Sequence, residues 1–213
     1  MTADIHPRGE SETRPADRGM ARRQAFLSAA RQVFLEQGYE TASVNDVVRL
    51  AGGSLATLYS QFGNKEGLFL AVVQDQYERT IVAMTPESVD DLPMEVGLQK
   101  IGENFLHTIL KREQLAFFRL IVSEGRKFPH AAVEYVSAGA DKVRGVVAKH
   151  IRATCPGCED AERAASFFLE LVRSRHQYRA LADDNYKPSD SEIREHVAGA
   201  IAVLKHGALH KPA

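Results

Sequence analysis

Apolar residues recur at helical spacing along almost the whole chain, and no stretch alternates in the two-residue period of a half-buried strand. Phe26, Ala29, Ala30, Val33 and Phe34 form the first stripe, which opens at Met20 and stops at Gly38, a residue suited to the left-handed position past a helix end. Ser43 then precedes Val44, Val47, Val48 and Ala51, with Asp46 three residues on. A hydroxyl and a carboxylate at that spacing predict a short helix capped at its start by both side chains. Gly52 and Gly53 interrupt the pattern, and Ser54 opens a second short set, Leu55, Leu58, Tyr59 and Phe62. Asn64 is placed to cap a longer helix through Leu68, Phe69, Val72, Val73 and Tyr77 toward Met84, after which residues 85–93 hold two prolines and three acids. Five more amphipathic stretches follow, over 94–111, 114–128, 130–153, 161–182 and 191–205. The fold class predicted is all-α with about nine helices: a three-helix head at the N-terminal end and a helical remainder.

Composition narrows what such a chain can do. With 213 residues and 44% hydrophobic content it buries a respectable core without disulfide help. The formal charge of -1 excludes a chain that grips nucleic acid by being basic overall, so any such binding needs a local patch. Two cysteines, Cys155 and Cys158, are too few for a disulfide scaffold and fit a reducing cytosol. No run of about 18 apolar residues spans a membrane, and the polar start lacks a signal-peptide core. A soluble, cytoplasmic protein is expected. Residues 1–19 mix Arg8, Arg14 and Arg18 with acids and prolines and read as a disordered tail. Residues 20–66 read as the head, and 67–213 as the remainder.

Segments as short as 43–50 and 54–61 are not stable as isolated helices, so a third helix must brace them. Three packed helices that present the last on the surface suit a helix-turn-helix, whose recognition helix enters the major groove. Periodicity alone leaves a small structural bundle as an equal alternative. Leu58, Phe62, Val47, Val48 and Phe34 have the spacing of core residues. Tyr59 on its own reads as a half-buried aromatic with its hydroxyl in water.

The residue order from Arg23 through Val72, containing AARQVFLEQGYETASVNDVVRLAGGSLATLYSQFGNKEGLFLAV, strongly resembles the TetR family of transcriptional regulators. The shared features are a helix ending in Gly-Tyr, Thr/Ser before the second helix, Ala-Gly in the turn, Thr-Leu-Tyr in the recognition helix, a Phe, then Lys-Glu and Leu. Three positions depart from the usual pattern: Gly53 stands where a small aliphatic is usual, Ala56 where Gly is frequent and Gln61 where His is frequent. The resemblance implies that Ser43, Tyr59, Gln61 and Lys65 meet phosphates, and that Asn45, Leu55, Ala56, Thr57 and Ser60 face bases. No Arg or Lys stands among the base-facing set, so adenine contact by Asn45 and thymine-methyl contact by the small groups are expected in place of bidentate guanine reading. Arg22 and Arg23 divide evenly between flanking DNA contact and solvated charge.

The resemblance further implies double-stranded operator DNA as partner, a homodimer formed through the last two helices, a small-molecule effector and, as in most of the family, repression. Ala161, Ala164, Ala165, Phe168, Leu171 and Val172, with Ile193, Val197, Ala200, Ile201 and Leu204, are the apolar sets expected at that dimer interface. Packing within one chain is the competing reading. Phe105, His107, Phe117, Phe118, Arg119 and Tyr135 combine aromatic and polar groups and are candidates for a partly apolar effector. The stretch FFRLIVSEGRKFPHAAVEYV looks similar, more loosely, to the C-terminal domain of the AefR-like subgroup. Cys155 and Cys158 form a lone CxxC in a turn with His150 nearby, for which a thiol switch or metal site is the minor reading; without a second ligand pair or a thioredoxin-like context, no cofactor is expected. His196, His206 and His210 read as surface residues. A catalytic role finds no Walker loop, dinucleotide fingerprint or HExxH pair, and a helical carrier without DNA is the remaining rival.

Overall fold

The computed structural model describes residues 15–84 and 88–207. Nine helices and no strand lie among them: α1 Pro15–Thr41, α2 Val44–Ala51, α3 Leu55–Phe62, α4 Lys65–Met84, α5 Met94–Ile109, α6 Arg112–Glu124, α7 Pro129–Thr154, α8 Ala161–Ala182 and α9 Asp190–His206. They form two compact units, Met1–Val72 and Val73–Ala213, so the division falls inside α4, six residues beyond the boundary expected at 66. The first helix begins at Pro15, ahead of Met20: Pro fits the first helical turn, where its missing N–H has no partner to lose. Residues 15–19 of the expected tail are therefore helical, while Arg8 and Arg14 lie outside the described residues.

In the first unit, α1 carries the core. Phe26, Ala30, Val33 and Phe34 are buried, as are Val47 of α2, Leu58 and Phe62 of α3, and Leu68 and Phe69 at the start of α4, and α1 packs along α2. Rings set the packing. Phe26 meets Phe62 edge-on at 6.3 Å, and Phe34 meets Phe69 edge-on at 5.3 Å. Gly38, at φ 75° and ψ 169°, breaks α1 before its last turn.

In the second unit, α5 lies against α7, α8 and α9. Leu98, Ile101, Leu106, Val147, Ile151, Phe168, Val172 and Val197 fill the space between them. Ser189 and Glu192 form the full reciprocal cap at the start of α9, and Asp160 caps α8. One expectation is overturned here. The apolar sets of α8 and α9 face inward: Ala161, Ala164, Ala165, Phe168 and Val172, with Ile193, Val197, Ala200, Ile201 and Leu204, are all buried in this unit's own core, and only Leu171 among them is partly exposed. His196 is half-buried. Its Nε2 lies 2.9 Å from the Val172 carbonyl and its ring stands 4.6 Å from that of His176. His206 is exposed, and His210 lies outside the described residues. Cys155 and Cys158 are half-buried thiols closing one turn, Cys158 N donating to Cys155 O at 3.0 Å. Among the described residues no group of three or more His, Cys, Asp or Glu could hold a metal, and no helix is long and apolar enough to cross a membrane.

Candidate nucleic-acid interface and ligand cavity

The turn between α2 and α3 is built from two glycines with different jobs. Gly52 takes φ 67° and ψ 65°, the left-handed cap, and its N–H closes on Val48 O. Gly53 has no such constraint. A Cβ there would stand 2.6 Å from Cζ of the buried Phe26 ring, so this turn sits directly on the α1 core. That contact accounts for the departure at Gly53: the aromatic ring occupies the space a side chain would need. Arg22 of α1 donates Nη1 to the Gly52 carbonyl, and Arg23 lies 4.6 Å from the Phe62 ring centre, so both arginines brace the head from its flank.

On α3, Leu58 and Phe62 are buried while Leu55, Ala56, Thr57, Tyr59 and Ser60 are exposed, Tyr59 by 45% of its surface. Ser54 caps the helix, accepting from Thr57 N at 3.2 Å, and its hydroxyl pairs with that of Thr57 at 2.9 Å. Asn45 is exposed on α2. Ser43 stands at the N-cap without a side-chain cap bond, contrary to the expected reciprocal cap. Asp46 instead pairs with Arg49 at 2.8 Å and accepts from Gln37 at 3.3 Å, and these two donors hold its carboxyl below the ordinary range. Capping would use the Ser43 oxygen only as an acceptor, so its O–H remains a donor with or without the cap. Lys65 donates Nζ to Glu40 O at 2.9 Å, over the Tyr39 ring, and so ties the start of α4 to the end of α1. Asn64 caps α4 by accepting from Gly67 N at 2.8 Å. Gln61 is half-buried, and its Oε1 has no partner.

Within the second unit a cavity of about 60 Å³ lies among α4, α5, α6, α7 and α8. Phe105, Phe118 and Tyr135 of the expected effector set line it, together with Tyr77, Met84 and Ile109. Its polar groups are Thr80, Gln114, Gln177 and Arg173. Tyr135 donates to Gln114 Oε1 at 3.3 Å, and burial pushes its phenol up to about 12, which keeps it neutral. Thr80 Oγ1 lies 2.9 Å from Gln114 Oε1 and 2.8 Å from Gln76 O, so its single proton serves one acceptor at a time. Three candidates fall elsewhere. Phe117 is fully buried and packs on the Tyr135 ring at 5.2 Å, His107 is exposed near Asp190, and Arg119 lines a separate cleft. Sequence reasoning missed Thr80, Gln114, Arg173 and Gln177. A signal for one pair existed in Gln76 and Thr80, polar residues one turn apart on the buried face of α4.

Residues 26–72 match the family described as bacterial regulatory proteins of the tetR family, and residues 96–205 match the AefR-like transcriptional repressor, C-terminal domain. Among curated relatives, the HTH-type transcriptional repressor ComR of Escherichia coli is 44% identical over 57 residues, 27% of this chain and 27% of that protein. The repressor AcnR of Corynebacterium efficiens is 38% identical over 63 residues, 30% of this chain and 34% of that one. The chain thus matches about a third or less of the length of these relatives. A solved TetR-family regulator from Mesorhizobium loti superposes with a TM-score of 0.79 at 23% identity, covering 89% of this chain and 97% of its own. The flavonoid-responsive regulator FrrA superposes with a TM-score of 0.72 at 26% identity, covering 87% and 95%. With a helix-turn-helix head matched across both its short helices and an AefR-like match running from α5 into α9, this chain belongs to the TetR family of bacterial regulators.

Proposed function

We propose that the protein is a cytoplasmic, homodimeric DNA-binding regulator, acting as a repressor, that leaves its operator when a small aromatic effector enters the second unit. One observation carries this reading: α3 buries Leu58 and Phe62 while Thr57, Tyr59 and Ser60 stand exposed along its opposite side, beside exposed Asn45 of α2. An eight-residue helix with that division has its stability supplied from behind and its reading surface left open. Asn45, Leu55, Ala56, Thr57 and Ser60 read bases, while Ser43, Tyr59, Gln61 and Lys65 set position on phosphates. The Lys65 ammonium shares its charge between Glu40 O and an incoming phosphate, so it both holds the head together and attracts DNA.

The dimer forms through α8 and α9 by a face other than the buried one. Phe167, Leu171, Ser174 and Tyr178 recur at i, i+4, i+7 and i+11 along α8, with Phe167 exposed by 52% and Tyr178 by 62%. On α9 the exposed Ala198, Gly199, Ala202 and Val203 allow close helix approach. At about 60 Å³ the cavity is well below the roughly 300–1,000 Å³ of small-molecule sites, so an aromatic effector must part its lining to enter. That required expansion is the difference between states on which a coupling free energy depends. Rings at Tyr77, Phe105, Phe118 and Tyr135, with amides at Gln114 and Gln177, favour a planar ligand bearing hydroxyl or carbonyl groups. The flavonoid response named for FrrA is consistent with that class. Repression follows the names of ComR and AcnR. FasR of Mycolicibacterium smegmatis, 37% identical over 60 residues, is named an activator, so the head alone is compatible with either output.

Gel-shift titration against the DNA upstream of the protein's own gene tests the reading. Saturable binding that weakens with salt and survives excess unrelated duplex is expected. Equal competition by unrelated duplex would refute it.

A further inference from the structure

Arg119 was a candidate for the effector cavity, and its actual place points to a second site. It lines a cleft of about 480 Å³ formed by α6, the end of α8 and the segment that follows, which shares no lining residue with the aromatic cavity. The floor is apolar, made of Leu110, Leu115, Ala116 and Ala180. Around it stand Arg112, Arg119 and Lys187 against one carboxylate, Asp184, a local cationic excess on a chain whose formal charge is -1.

The three cations are not equivalent. Arg119 is committed to structure: its Nε donates to Leu181 O at 3.0 Å, and its Nη2 donates to Ala180 O at 2.8 Å and pairs with Asp184 at 2.8 Å. These bonds satisfy the terminal carbonyls of α8 and consume the only carboxylate in the cleft. Arg112 and Lys187, both exposed, make no ion pair among the described residues. Two cations are therefore left over beside an apolar floor. Arg112 also stands in the first turn of the 13-residue α6, where the helix dipole adds to its field.

We infer that this cleft binds an amphipathic anion, a carboxylate with an apolar body, its head held by Arg112 and Lys187 and its body lying on Leu110, Leu115 and Ala116. The volume falls in the range of small-molecule sites, whereas the aromatic cavity must expand before it can take a comparable ligand. The chemistry demanded also differs, since the aromatic cavity has one cation, Arg173, already paired with Glu170 at 2.8 Å. The inference does not depend on DNA binding.

Isothermal titration of the full chain with decanoate tests it, with decanol as the uncharged probe of equal chain length. Saturable one-to-one binding of decanoate is expected. The double variant Arg112→Gln/Lys187→Gln should weaken it by about tenfold or more, because both charge-assisted bonds to the head are lost. Lys142→Gln, an exposed cation on α7, should leave it unchanged. Ala116→Phe, which fills the floor, should weaken decanoate and decanol together. Decanoate binding that is absent, multi-site, equal to that of decanol, or indifferent to the double variant would overturn the assignment. Circular dichroism of each variant separates lost binding from lost fold.

Discussion

Gly53→Ala perturbs the head at the point where the α2–α3 turn rests on α1. The added Cβ would lie 2.6 Å from Phe26 Cζ and 3.0 Å from Cε1, against the roughly 3.5–4.0 Å that two carbons prefer. Phe26 has no exposed surface and its ring is held edge-on by Phe62, so it cannot swing away. Overpacking of this kind costs about 1–3 kcal/mol. Losing glycine from the unfolded chain returns roughly 0.4–1 kcal/mol, because Gly53 does not occupy the left-handed region and Ala adopts its backbone without strain. A net destabilisation of about 1–2 kcal/mol is expected, measured by urea unfolding followed by circular dichroism. The diagnostic is the cycle with Phe26→Leu, which removes the ring atoms in the way. In that background Gly53→Ala should be neutral or mildly stabilising, a coupling of about 1–3 kcal/mol. Equal effects of Gly53→Ala in both backgrounds would refute the claim that Phe26 dictates glycine at this position.

Lys65→Ala should lower affinity for every duplex alike and reduce the salt slope by about one, whereas Thr57→Ala should shift the preferred sequence; both are read from binding isotherms over a salt series. Arg119→Met leaves the α8 carbonyls of Ala180 and Leu181 without their donor and should cost about 1–2 kcal/mol, measured by urea unfolding. Burial, then the neighbouring His196, hold His176 below its usual 6.5. The unfolded chain therefore takes up this proton first as pH falls, so the contribution of His176 to stability is constant above about pH 7 and becomes unfavourable as pH falls below 6.5. His176→Gln should remove that part of the acid slope.

The helix pattern was legible because amphipathic spacing is local information, and it found, in order, the nine helices seen among the described residues. The breaks were legible for the same reason: Gly52 adopts the left-handed cap that the Gly-Gly pair implied. What covers an apolar stripe is not local. Phe168, Val172 and Val197 have the spacing of an interface, yet α5 of the same unit covers them, and the outward stripe of Phe167, Leu171 and Tyr178 is interrupted by Ser174 and so reads more weakly. Ser43 and Asp46 have capping spacing, but Arg49 and Gln37 win the carboxylate, a competition that depends on where α1 lies. Arg119 finds its partners at Ala180 and Leu181, more than sixty residues away, and no spacing rule reaches that far. Cavity residues such as Thr80 and Gln114 come from different helices and meet only through the fold.

Selection of bound duplexes from a randomised DNA pool is the decisive experiment for α3, because it assumes no operator. Recovered sequences should converge on a palindrome with half-sites about one helical turn apart, and the Thr57→Ala protein should recover an altered consensus. A pool that stays random after repeated rounds, or a consensus that Thr57→Ala leaves untouched, would contradict the assignment of α3 as the helix that reads DNA.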